Sequence, residues 1–224
     1  MSTSFRWDLL VKVGGSLGRG RALPPLLGAL ASLARHRRVL VVPGGGRFAG
    51  LVREETRRLG IGEEAAHRMA LLGMDQYGLL LAALAPGAEA VPDLAAARRR
   101  ARAGGLPILL ASGMVMRAKG LERTFRLTSD SIAAHIAGRT RPRRFVLLKS
   151  VAGEAAPLAG RAGAARLARL GVVDPLFPAL LPAPIETWVL DGRDPEALAR
   201  FSPEGPRPAR RSPAARRAAP PGTA

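Results

Sequence analysis

Two stretches of this 224-residue chain break from an aliphatic run straight into glycine: Val11-Lys12-Val13-Gly14-Gly15-Ser16 and Val41-Val42-Pro43-Gly44-Gly45-Gly46. Glycine lets the backbone turn sharply and bring its N–H groups against an anion, and a helix that follows adds a favourable dipole. Strand, glycine turn and helix together make a phosphate cradle. One such turn is also an ordinary way to leave a strand. Two of them, one with Lys12 just ahead of the glycines, point to two phosphate-bearing ligands. Of the 35 basic residues only Lys12, Lys119 and Lys149 are lysine. A lysine kept where arginine is the default suits a position that needs a compact, movable charge. With no cysteine, a disulfide scaffold, a thiolate metal site and a cysteine nucleophile are excluded.

The P-loop pattern is absent, since none of the three lysines follows a glycine. Gly44, Gly46 and Ala49 fit the looser dinucleotide fingerprint, with Glu63 or Glu64 near the distance of a ribose-binding acid. That acid should end a second strand, whereas Ile61 to Leu84 reads as one long helix. Thr128-Ser129-Asp130-Ser131 opens another helix, where Asp130 fits either a catalytic role or plain N-terminal capping. His67 and Asp75 are eight positions apart on the long helix, about 80° around its axis, and so share one broad face. A carboxylate in an apolar stretch needs a partner. For Asp75 that is a ligand cation or one of the arginines; a lone His67 is more often structural than catalytic.

The elements that must position these groups alternate. Strands are predicted over Asp8 to Val13, Arg38 to Val42, Pro107 to Ala111, Arg144 to Lys149 and Glu186 to Leu190. Helices are predicted over Leu23 to His36, Arg47 to Leu59, Glu63 to Leu84, Asp93 to Ala103 with Asp93 as N-cap, Asp130 to Ala137, Ala164 to Leu170 and Asp194 to Phe201. The pattern argues for an α/β fold, a mainly parallel sheet covered on both faces. Residues 202–224 are Pro, Ala, Arg and Gly without apolar periodicity and are expected to form a disordered tail.

Apolar residues make up 47% of the chain, enough for an aliphatic core. No segment reaches the ~20 apolar residues of a membrane span, and the N-terminus lacks a signal-peptide core, so the expectation is a cytoplasmic protein. The net charge of +18 would suit nucleic acid. The arginines are spread through helices as well as gathered, which argues for compositional bias over a nucleic-acid partner.

Taken together, Lys12-Val13-Gly14-Gly15-Ser16, Pro43-Gly44-Gly45-Gly46 and Leu127-Thr128-Ser129-Asp130-Ser131 resemble the amino acid kinase superfamily. The pairs Phe48-Ala49 and Val52-Arg53, then His67 with Met74-Asp75 and Gly78, Phe177-Pro178 and Asp191-Gly192-Arg193-Asp194-Pro195-Glu196, are similar to its [5-(aminomethyl)furan-3-yl]methyl phosphate kinase branch, known from methanofuran biosynthesis. The resemblance implies a three-layer αβα sandwich over residues 1–201 and transfer of the γ-phosphoryl of ATP, with Mg2+, to a small phosphorylated acceptor. A carboxylate or a nucleoside monophosphate is the alternative acceptor, and a non-catalytic nucleotide- or nucleic-acid-binding relative the alternative function.

It also implies roles. Lys12 bridges the donor and acceptor phosphates, and Asp130 orients it near magnesium. Gly14, Gly15 and Ser16, with Lys149 and Ser150, contact ATP. Gly44, Gly45, Gly46, Thr128 and Ser129 hold the acceptor, beside His67 and with Asp75 on its ammonium. No metal ligand is assigned, and a homo-oligomer is expected. The chain departs from the family in three places. Phe177 to Pro182 lacks the late-helix lysine of many relatives, a position for which Lys149 is the candidate substitute. Lys149-Ser150-Val151-Ala152-Gly153 stands where relatives have an acid, and Arg47 where a glutamate is expected.

Overall fold

The computed structural model describes residues 5–151 and 156–200. The predicted tail, the end of the last predicted helix at Phe201 and the Ala152-Gly153 part of the departing segment lie outside them. Aliphatic runs form buried parallel strands: β1 (Leu9–Val13), β2 (Val39–Pro43), β4 (Leu106–Leu109) and β5 (Arg144–Lys149), with β3 (Ala88–Val91) and β7 (Glu186–Asp191) outside them. The order is β3-β4-β2-β1-β5-β7-β6, where β6 (Ala156–Pro157) runs antiparallel to β7 at the edge. The expected αβα architecture is present, and β1 sits at its centre.

Strand residues alternate between two cores, as a period of two requires. Leu10, Leu40, Val42, Phe145 and Leu147 face one core, completed by α4 (Leu94–Arg102), α5 (Ser112–Arg117), α6 (Ser129–Thr140), α7 (Gly160–Arg169) and α8 (Phe177–Leu180). Val11, Val13, Val39, Val41, Val146 and Leu148 face the other, under α1 (Leu23–Ala34) and α9 (Pro195–Arg200). The long helix α3 (Glu63–Leu84) serves both, giving Leu71 and Met74 to the first core and Tyr77 and Leu81 to the second. It runs beside α2 (Gly46–Leu59) and carries the groups that face the site.

The parallel register matters for function. Lys12 pairs with Leu147, and Val13 with Leu148. Lys12 therefore shares the side of Leu10, and Lys149 the side of Phe145 and Leu147, so both lysines point to the face covered by α6. Among the described residues no helix is long and apolar enough to cross a membrane.

The predicted elements do not include β3, β6, α5 or α8, and helix ends fall within a few residues of those predicted. Asp93 caps α4 as expected, its side chain accepting from the Ala96 N–H at 2.7 Å. Asp93→Ala is expected to lower stability by about 1 kcal/mol in denaturant unfolding, with catalytic constants unchanged because α4 does not reach the site.

Candidate active site

A cavity of about 390 Å³ opens at the carboxyl ends of β1, β2 and β5. Crevices at that end of a parallel sheet are where such folds bind ligands. Its floor is Lys12, and its glycine wall is Gly15, Gly45 and Gly46. Two backbone turns meet there at a distance only glycine permits. A Cβ on Gly15 would lie 2.4 Å from the Gly46 nitrogen, and one on Gly44 2.6 Å from the Gly15 nitrogen. The glycines thus serve loop-to-loop packing as well as access for an anion. The first residues of the 3-10 turn over Gly15–Arg19 and of α2 have N–H groups with no intrahelical acceptor, which is what an anion needs.

Not every predicted glycine contributes this way. The Gly14 N–H donates to the Leu148 carbonyl at 2.9 Å, and the Gly44 N–H to the Val13 carbonyl at 2.8 Å. Both are spent continuing the sheet ladder, and neither residue lines the cavity. The N–H groups expected to donate to phosphate at Gly14 and Gly44 are therefore already engaged by backbone carbonyls.

At the centre, Asp130 holds both lysines. Lys12 Nζ lies 2.7 Å from Asp130 Oδ1, and Lys149 Nζ donates to Asp130 Oδ2. All three line the cavity, and Lys12 and Asp130 are only 3% and 4% exposed. Burial pushes the Asp130 carboxyl up, but the two ammonium groups outweigh it and hold it below the usual carboxylate range. The Lys149 ammonium is lowered as well: burial, then the Lys12 charge, disfavour its charged form, only partly offset by Asp130. One carboxylate against two ammonium groups leaves an excess positive charge, and Arg19 and Arg53 at the cavity wall add to it. The place suits phosphate oxygens.

His67 is buried on α3 and lines the cavity; its Nδ1 lies 3.2 Å from the Thr124 carbonyl oxygen, and burial lowers its pKa. Thr128 and Ser129 also line the cavity, although the Thr128 hydroxyl is taken by Asp174 at 2.6 Å. Ser16 lines it too and shares a hydrogen bond of 2.9 Å with Ser150, which stands outside the cavity lining.

Asp75 is not at the cavity. Its Oδ1 accepts from the Ser112 N–H at 3.2 Å and its Oδ2 from the Ser112 hydroxyl, so it caps the start of α5. An offset of about 80° from His67 is enough to turn it into the α3–α5 contact. The role expected for it at a substrate ammonium is replaced by a structural one. Sequence reading assigned no role to Arg19, Arg53 or Asp174; for Asp174 the signal present was its place just before Pro175, a common turn setting.

Among the described residues no three His, Asp or Glu side chains group to hold a metal ion. Both oxygens of the cavity's carboxylate are on lysines. These residues fit a magnesium ion carried by nucleotide phosphates and water, the usual manner for Mg2+, rather than a protein cage.

Fold and site together are those of a phosphotransferase. The chain belongs to the amino acid kinase family, whose model matches residues 9–153. It is 30% identical over 197 residues to [5-(aminomethyl)furan-3-yl]methyl phosphate kinase of Methanocaldococcus jannaschii, covering 84% of this chain and 90% of that protein. Its fold is similar to the uridylate kinase of Archaeoglobus fulgidus, with a TM-score of 0.65, 20% identity and coverage of 84% and 92% of the two chains. It is similar also to the UMP kinase of Ureaplasma parvum, with a TM-score of 0.63, 15% identity and coverage of 87% and 94%.

Two outcomes follow from this geometry. Activity that needs the Lys149 ammonium should fall on the alkaline side below the pH at which an ordinary lysine loses its proton. In Lys149→Arg, which cannot lose its charge, that limb should move upward while the plateau drops about tenfold or more, since a planar guanidinium does not replace a point charge; an unmoved limb would assign it to another group. Asp75→Asn should cost about 1–3 kcal/mol of stability in a denaturation curve and change the KM values for ATP and acceptor equally little.

Proposed function

We propose that this kinase transfers the γ-phosphoryl of ATP to the phosphate of a small acceptor, and that the acceptor is [5-(aminomethyl)furan-3-yl]methyl phosphate. The observation that carries the reaction is the buried Asp130 clamping Lys12 and Lys149 in a glycine-walled cationic cavity. Phosphoryl transfer asks little covalent work of the protein and much positioning and charge. An oxygen of the acceptor phosphate attacks the γ-phosphorus, the bond to the bridging oxygen of ADP breaks, and a diphosphate leaves with ADP as second product. Lys12, on the centre strand, contacts both the incoming and the leaving phosphates in this reading. Lys149 supplies the second cation beside the transferring group, in the absence of a lysine on α8. Gly15 and Ser16 with Ser150 lie toward ATP. Gly45, Gly46, Ser129 and His67 lie toward the acceptor. Magnesium bound to the nucleotide would neutralise phosphate charge.

The furan acceptor is supported by the 30% identity to the Methanocaldococcus jannaschii kinase. The cavity itself supports a phosphate acceptor with an apolar body, since Ala49, Leu71, Met74 and Phe125 also line it. Because Asp75 faces Ser112 and Asp130 is committed to lysines, no unpaired carboxylate among the cavity-lining residues waits for the ammonium. We also propose that the kinase acts as a homo-oligomer, supported by Met69, Leu72, Leu79 and Leu80, which are exposed on α3 at helical spacing.

The test is ADP release with Mg-ATP over a panel containing the aminomethylfuran phosphate, its deaminated analogue, UMP and a carboxylate, beside Lys12→Ala. Turnover on the furan phosphate, lowered about 10³-fold or more by Lys12→Ala, is the expected result. Preference for another acceptor would discard the furan and keep the site; no turnover on any acceptor would favour a binding protein.

A further inference from the structure

The helix that carries Asp130 is capped in an unusual way. Thr128 has the extended backbone of an N-cap residue, at φ −97° and ψ −179°, yet its side chain makes no cap bond to its own helix. Such a threonine normally accepts the N–H of the second or third helical residue. Here its hydroxyl donates instead to Asp174 Oδ2 at 2.6 Å, and the same oxygen takes the Ser131 N–H at 3.1 Å, from 43 residues along the chain. The Ser131 hydroxyl donates to Oδ1. That oxygen also accepts the N–H groups of Leu176 and Phe177, both at 3.0 Å, where α8 begins. One buried carboxylate thus closes the N-termini of two helices with five hydrogen bonds.

The consequence lies at Asp130. A carboxylate in the first turn of a helix is drawn to that helix's own free N–H groups. With the Ser131 N–H already satisfied from outside, both Asp130 oxygens are released to Lys12 and Lys149. The five bonds also fix the first turn of α6 in place, since Asp174 cannot move without opening α8. Its negative charge further favours the ammonium form of Lys149.

We propose that Asp174 is a positioning residue for phosphoryl transfer: by capping α6 from outside, it aims the Asp130 carboxylate at Lys12 and Lys149. The inference rests on the phosphoryl-transfer reading of the site for its kinetic consequence, and on geometry alone for its structural one. In Asp174→Asn an amide donor replaces one acceptor, so the cap is broken at similar volume.

The full-length Asp174→Asn variant is compared with wild type and with Phe177→Leu, a control that loosens the buried start of α8 without touching the cap. Two measurements are made. In the ADP-release assay, Asp174→Asn should lose about 30-fold or more in kcat with KM for ATP and acceptor within about threefold, the signature of a group misplaced for the transition state. In acetylation by a water-soluble reagent, followed by mass spectrometry, labelling of Lys12 and Lys149 relative to exposed Lys119 should rise about threefold or more as their carboxylate partner moves away, by the dependence of amine reactivity on the free base. Phe177→Leu should lower Tm without either change. Equal kcat and labelling in Asp174→Asn and Phe177→Leu would overturn the proposal and leave Asp174 a fold residue. If Asp174→Asn does not fold, Thr128→Val and Thr128→Ser decide: valine should reproduce both effects in smaller measure and serine restore wild-type values, and unchanged values in Thr128→Val would overturn the proposal. Labelling needs no acceptor, so a wild type without turnover would count against the phosphoryl-transfer reading and not against the role of Asp174 in holding the lysines.

Discussion

Everything at this site depends on one electrostatic constraint: two ammonium groups share a single carboxylate out of water. An isolated charge in the interior costs several kcal/mol, and a pair recovers that only with good geometry. Asp130 can satisfy Lys12 through one oxygen and Lys149 through the other. It cannot cancel both charges. The uncancelled charge is tolerable because it lies against a cavity rather than in the core, and an anion entering that cavity completes the balance.

That constraint selects the fold around it. Lysines on neighbouring parallel strands reach one carboxylate only if both point to the same face, which the β1–β5 register provides through the pairing of Lys12 with Leu147. A slip of one residue would turn one lysine into the opposite core. The facing helix must then present Asp130 in its first turn, close to the sheet. The glycine turns after β1 and β2 must pack backbone against backbone to leave room above the lysines. Tyr77 closes the space behind them: it is fully buried against Gly18 and Gly46, and burial raises its hydroxyl pKa to about 12, so it stays neutral.

Much of this was legible in the residues. Aliphatic runs located β1, β2, β4, β5 and β7, and the glycine turns and Thr128-Ser129-Asp130 located the walls of the cavity. What escaped was set by tertiary contacts. The strand β3 is a short edge strand with a half-exposed Ala-Glu-Ala pattern and little local signal. The helix α5 has only six residues, and its first N–H is satisfied by Asp75 from α3. The roles of Asp75 and Asp174 share that cause. Each is an acid that caps a helix distant in sequence, a function that no local spacing encodes, and the face of α3 on which Asp75 lies covers both the cavity side and the α5 side. The backbone bonds of Gly14 and Gly44 share that cause, because a glycine at a strand end can still serve the ladder.

The composition fits the same physics unevenly. With 17 acids against 35 basic side chains, carboxylates are the scarce partner, and Asp75, Asp130 and Asp174 are spent where two or more donors converge. Of the three lysines, Lys12 and Lys149 meet at Asp130, whereas Lys119 is exposed. Lys149 brings a second cation to Asp130 from the end of β5, while α8 carries no lysine. The helix α8 is tied to α6 through Asp174. The two lysines come from adjacent, parallel strands of one sheet, whose register fixes their shared face.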